Sequence, residues 1–366
     1  MYQGIYFLSS DAAHTLISFC IWFFIALTSL QFIVLVLQKL LLERADRHRR
    51  ELREKYHTLL QSGGDTSLYA IAPPAKKMEY ETFSDAAVSL LAKADREQQE
   101  SIRTIVRQYM VPPYLITCFS TSRFWTAKYQ ALEQLGFMKL PELRDFYRSS
   151  LDARPESTYV VSKLIWALSL VCQEDDIELI AKRLDAYGFM SAKFNEYIFC
   201  NIIESFRERG QAASLAAHLD QLVRDDTLPL LIKRDIVQAC GAAAFQEAEQ
   251  LILDALKTHG KSAEFRIAGI RALQGTGSRI LDRIVAAGLK DQDWRVRVAA
   301  AKDISKCSPA VIPLLADVLG DEHYNVRLNA ALSLSRAGQR GTALLQAQSS
   351  SSDRFIRDIS KYVLSA

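Results

Sequence analysis

The chain has 366 residues, and its 45 Lys and Arg nearly balance its 42 Asp and Glu, for a formal net charge of +3. That balance excludes a global field drawing the protein onto nucleic acid. The length exceeds one small domain and points to a long repeat array or two domains.

The first predicted element accounts for part of the 49% hydrophobic content. Residues 12–38 carry no charged side chain. About twenty apolar residues suffice to cross ~30 Å of hydrocarbon, so a transmembrane helix is predicted over 12–42, behind a short tail at 1–11. No basic residue precedes the run and no small-x-small site closes it, which argues against a cleaved signal peptide. Upstream lies only Asp11; downstream come Lys39, Arg44, Arg47, Arg49, Arg50, Arg53 and Lys55. Basic flanks stay on the cytoplasmic side, so the tail is expected outside and the remainder in the cytoplasm. Glu43 stands four before Arg47, and Asp46 four before Arg50, a spacing that supports a charged helix over 43–60. The sharper alternative for these charges is contact with anionic lipid headgroups.

Residues 61–82 contain Gly63-Gly64 and Pro73-Pro74 and are assigned as a linker. Ser84 and Asp95 are predicted helix N-caps. Pro112-Pro113 is expected to end the helix opened by Asp95. From about residue 120 onward, helix-sized apolar patterns alternate with short breaks and no strand pattern is found, so the chain is assigned as all-α. Segments 125–136 and 159–170 resemble degenerate repeats within a helical region at 83–227.

A repeat is clearest over 228–366. Leu289, Asp291, Val296, Arg297, Ala300 and Ile304 recur as Leu319, Asp321, Val326, Arg327, Ala330 and Leu334, thirty residues on. Ile356-Arg357 continues the series, and Phe265-Arg266 and Ile232-Lys233 precede it. A fixed period near thirty with two helices per unit marks a helical solenoid. The pattern L-x-D-x-x-x-x-V-R-x-x-A-A-x-x-L resembles the HEAT repeat, in the short form of the phycocyanobilin-lyase-like bacterial HEAT proteins. The resemblance implies a right-handed α-solenoid, with Asp and Arg pairing between successive repeats as a structural ladder. Asp291, Arg297, Asp321, Arg327 and Arg357 match those positions, and Ser351 replaces the Asp of the last unit. An arginine row gripping phosphates is the competing account of the same residues.

Catalytic signatures are missing. No HExxH, GxxxxGK[ST] or GxSxG occurs. Gly275 and Gly277 are assigned to an inter-helix turn. Asp175-Asp176 and Asp225-Asp226 are placed at helix starts, where acids favour the helix dipole. The six scattered cysteines form no CxxC pair and are expected to be buried thiols in a reducing compartment. No metal and no cofactor is expected.

The functional expectation is a membrane-anchored, non-enzymatic scaffold binding a protein partner at the cytoplasmic face, with the bilayer contacted through 12–42 and no nucleic acid involved. The first alternative is an accessory or regulatory subunit of a membrane-embedded enzyme complex, such as a polysaccharide synthase or transporter. Polar Ser18, Thr28, Ser29 and Gln31 would then contact another membrane helix. A bilin-lyase-like enzyme is the minor alternative implied by the resemblance. In HEAT solenoids the helix after Val-Arg lines the concave face. With Val296, Ala300 and Ile304 as its buried set, the residues left for a partner are Val298, Lys302, Leu328 and Asn329. Ile267, Arg271, Arg234 and Gln238 precede them in register.

Overall fold

The computed structural model describes residues 10–62, 72–153, 157–188 and 191–365, and every described element is helical. Two compact units emerge, Met1–Cys118 and Phe119–Ala366.

The first unit is built on α1 (Ser10–Gln61), one unbroken helix of 52 residues. At ~1.5 Å per residue it is about 78 Å long. Its apolar stretch is fully exposed to its surroundings, and it is long and apolar enough to cross a membrane. The other end is amphipathic. Tyr56, Leu59 and Leu60 are buried where α1 meets α2 (Lys77–Leu91) and α3 (Arg96–Gln108). The Phe83 ring sits edge-on to Tyr56 at 5.0 Å and stacks on Tyr109 at 5.2 Å.

Several expectations are corrected in this unit. Ser84 is not an N-cap: it lies inside α2, buried, with a hydroxyl that finds no partner. The helix starts earlier because Glu79 accepts the free backbone N–H groups of Ala75 (2.8 Å) and Lys76 (3.3 Å). The linker assigned to 61–82 therefore gives way to helix at Lys77, and its residues 63–71 lie outside the described set. Asp95 does cap α3, accepting from Gln98 N at 2.9 Å. Pro112-Pro113 opens α4 (Val111–Thr121) rather than closing α3, since a proline in the first turn forfeits no helical hydrogen bond.

The second unit is a solenoid of stacked helix pairs. One layer contains α5 (Trp125–Met138), α7 (Thr158–Ser169), α9 (Ala192–Glu208) and α11 (Leu230–Ala242), followed by α13 (Ala263–Thr276), α15 (Trp294–Lys302), α17 (Tyr324–Arg336) and α19 (Arg354–Ser365). Each packs on the next. The other layer contains α6 (Arg144–Asp152), α8 (Glu174–Ala186), α10 (Ala212–Arg224), α12 (Glu249–His259), α14 (Leu281–Gly288), α16 (Ile312–Asp317) and α18 (Gly338–Gln348). The core lies between the layers, where Leu164, Ile198, Ile236, Leu273, Val296 and Val326 are fully buried. Asp225-Asp226 sits in the turn before α11, not at its start, because Asp225 closes α10 and accepts from Thr227 N.

At the turns between repeats, arginines and aspartates alternate along the stack. Arg266 forks onto Asp291 at 2.7 and 2.9 Å. Arg297 forks onto Asp321 at 2.7 and 3.0 Å. Each arginine also donates to the turn preceding its own helix: Arg266 to Gly260 O at 2.9 Å, and Arg297 to Asp291 O at 2.9 Å. Burial alone would raise the Asp291 and Asp321 pKa values, but the guanidinium hydrogen bonds hold both below the ordinary carboxylate range. Arg327 keeps the backbone half of the pattern, donating to Asp321 O at 2.6 Å. With Ser351 in place of an acid, its guanidinium instead lies over the Phe355 ring at 4.5 Å. Arg357 donates to Ser351 O at 3.1 Å.

Candidate functional site

The site grows out of two local anomalies in the layer that begins with α5. The first is a close helix approach. A Cβ added at Gly241 on α11 would lie 2.3 Å from Ala272 Cα on α13. One added at Gly275 would meet Gly241 O at 2.1 Å. Only glycine at both positions lets the two backbones touch.

The second is the early end of α15, which has 9 residues where α17 has 13. Asp303 breaks the helix. Its carboxylate accepts from Ser305 N at 2.9 Å, a local turn that competes with helix continuation. An acid is also unfavourable at the negative end of the dipole. The orphaned carbonyls of α15 are taken up by side chains from both neighbours. Gln274 on α13 donates to Ala299 O (3.2 Å) and Asp303 O (2.7 Å). Ser333 on α17 donates to Ala301 O (2.6 Å) and Lys302 O (3.0 Å).

Together these features shape a groove of about 630 Å³ running over α9, α11, α13, α15 and α17. Gly241, Ala242, Gly275 and Ala299 contribute small residues to its lining. Its charged lining is Lys193, Arg271, Lys302 and Arg336 against Glu196 and Asp303. Glu196 is already engaged, by Lys193 at 2.8 Å and by the Gln238 amide. Asp303 is occupied by Ser305. Burial works to raise its pKa, but the Ser305 hydrogen bonds and the nearby Lys306 and Arg336 charges keep it low. Among the described residues, the side chains of Arg271, Lys302 and Arg336 make no hydrogen bond or close ion pair, although the Arg336 charge lies near Asp303.

The groove contains Gln238, Arg271 and Lys302 from the predicted row. The others are placed differently. Ile267 is a correction: it is only 8% exposed, so it belongs to the packing and not to a free surface. Val298, Leu328 and Asn329 are half-buried, and Asn329 bonds back to Asn325 O on its own helix at 2.8 Å. Arg234 is drawn onto the buried Asp235 at 2.6 Å. Ile304, expected on the buried face of α15, lies beyond its end and is half-buried. Lys193, Glu196, Gln274, Asp303 and Arg336 were not singled out by the repeat pattern. Lys193 and Glu196 lie where the motif has faded, and Arg336 lies two residues beyond Leu334, the last marked position of its unit.

Chemically, the arrangement offers exposed cations beside small side chains. Among the described residues no group of three or more His, Cys, Asp or Glu is placed to hold a metal ion. Burial pushes the Cys172 and Cys240 thiols up to about 12, so neither is an activated nucleophile. Gly277 caps α13 with φ +75°, a left-handed conformation suited to a helix stop.

Residues 281–365 match the family model described as HEAT repeats. No curated protein matches the chain. Among solved structures, an engineered protein is similar at 15% identity, covering 87% of this chain and 93% of its own, with a TM-score of 0.35. Human deoxyhypusine hydroxylase in complex with glycerol is similar at 17% identity, covering 79% and 96%, with a TM-score of 0.23. Importin beta is similar at 13% identity, covering 82% of this chain, with a TM-score of 0.36; this chain spans 48% of that one. No functional assignment follows from likenesses this distant.

Proposed function

We propose that the protein is a membrane-tethered, non-catalytic α-solenoid scaffold that docks a protein partner on the groove side of its repeats. The observation that carries this is a groove crossing five successive helices in a chain whose first helix has an exposed apolar stretch long enough to span a bilayer. A solenoid presents one continuous surface built from many short units. A tether confines that surface near the bilayer and raises its effective concentration toward membrane-associated partners. The basic cluster after residue 38 supports a solenoid on the cytoplasmic side. The partner-facing residues in this reading are Gln238, Arg271 and Lys302, with Val298, Leu328 and Asn329 beside them.

The narrower reading, an accessory subunit of a membrane-embedded enzyme, asks the polar residues of α1 to grip another helix. Thr28 gives it no support, since its hydroxyl already donates to Phe24 O (2.8 Å) and Ile25 O (3.0 Å) of its own helix.

Site-specific photo-crosslinking in native membranes tests the docking face. A photoreactive residue at Gln238 or Asn329 is expected to give a discrete protein adduct, and one at exposed Arg283 on α14 to give none. Equal labelling from both layers, or no adduct from the groove side, would remove the docking assignment.

A further inference from the structure

We infer that the groove takes an extended acidic polypeptide, with Arg271, Lys302 and Arg336 reading carboxylates spaced about three residues apart; this rests on the docking reading above. The three cations come from three successive stacked helices, α13, α15 and α17. All three line one groove, and among the described residues none of their side chains makes a hydrogen bond or close ion pair; Arg336 alone has an acid nearby, Asp303. The two acids in the same groove are already engaged, Glu196 by Lys193 and Gln238, and Asp303 by Ser305. What remains without a close partner is positive charge, most fully at Arg271 and Lys302.

The spacing selects the ligand's form. Packed helices sit ~8–10 Å apart, and an extended chain advances ~3.3 Å per residue. One step from helix to helix therefore matches about three residues of a strand laid across them. A helical ligand advances only ~1.5 Å per residue, so three residues would fall well short of the next cation.

A nucleic acid fits less well. Among the described residues, the lining has no aromatic side chain on which a base could stack. Glu196 and Asp303 would face a continuous phosphate chain.

The test uses the full-length protein in detergent micelles. The probe is a fluorescein-labelled decapeptide with Glu at every third position and Ser and Gly elsewhere, read by anisotropy at low salt. It is expected to bind, and to weaken at least tenfold when salt rises into the range where the screening length falls to ~3–10 Å. The Arg271→Glu/Lys302→Glu double variant should lose at least tenfold, with an unchanged circular-dichroism melt. Both side chains are exposed, so folding is spared. Arg340→Glu, exposed and outside the groove lining, should bind like wild type. A decapeptide with the same Glu residues clustered at one end should bind more weakly. No binding, binding indifferent to the double variant, or tighter binding of an oligouridine through the same two residues overturns the inference. Such a failure would leave the photo-adducts at Gln238 and Asn329 in place; their absence would instead remove the docking reading itself.

Discussion

At the scale of single residues, the ladder is not uniform. Arg297 and Asp321 are each about nine-tenths buried, at 10% and 9% side-chain exposure. Deleting the arginine strands a buried carboxylate, which costs about 3–5 kcal/mol. Arg327 has no acid to strand. Deleting it frees two turn carbonyls, those of Asp321 and Glu322, at about 1–2 kcal/mol. Arg297→Ala is therefore expected to lower the melting temperature more than Arg327→Ala, as measured by circular dichroism in micelles. The reverse order would mean that the carbonyl contacts matter more than the ion pair. The same carboxylates set an acid limit. Asp291 and Asp321 have folded pKa values below their unfolded ones. A depressed folded value stabilises above the unfolded pKa, near ~3.9, and that contribution is lost as pH falls through the folded one. The melting temperature should fall as pH drops below about 5 and keep falling through the lowered folded pKa values, and Asp321→Asn should flatten that fall. An unchanged pH profile in the variant would show that other groups control acid unfolding.

At the scale of elements, the close contact of α11 with α13 and the truncation of α15 shape the groove. Gly241→Ala places a methyl against the Ala272 backbone, which no rotamer change relieves. Ala330→Leu forces a larger side chain into a fully buried position on α17. Each should cost about 1–3 kcal/mol through overpacking. The thermal melt again decides: if both variants match wild type, the thirty-residue register of the repeats fails. Asp303 ends helix α15 early, and the break is tolerated because its terminal carbonyls have substitute donors. Gln274 and Ser333 reach in from opposite sides, so a break in one helix is absorbed by its two neighbours.

At the scale of the whole molecule, the proposed membrane tether makes topology the deciding property, since α1 runs unbroken from the apolar stretch into the α2–α3 bundle. A reporter enzyme active only in the exported compartment, fused after the last residue, is expected to be silent. The same reporter at the N-terminus should be active. Activity at the C-terminal end would place the solenoid, and any partner, on the other side of the membrane.

The sequence by itself determined the helical class, the length of the apolar run and the thirty-residue repeat. These depend on local periodicity, which a linear chain displays directly. Asp95 as a cap was legible for the same reason, its partner Gln98 being three residues away. Ser84 was misread because a polar residue inside an amphipathic pattern looks like a boundary until its burial is known. The groove was legible only in part. Gln238, Arg271 and Lys302 follow the register of the repeat, so periodicity reaches them. Ile267 follows it too, yet is buried, because lateral packing of successive helices covers positions that one isolated helix would expose. Lys193 and Arg336 joined the groove through the tertiary structure alone. So did the capping of α15 by Gln274 and Ser333. The capping depends on contacts between residues 25 to 32 apart in the chain, and all three are set by how the helices stack and not by the local pattern of any one of them.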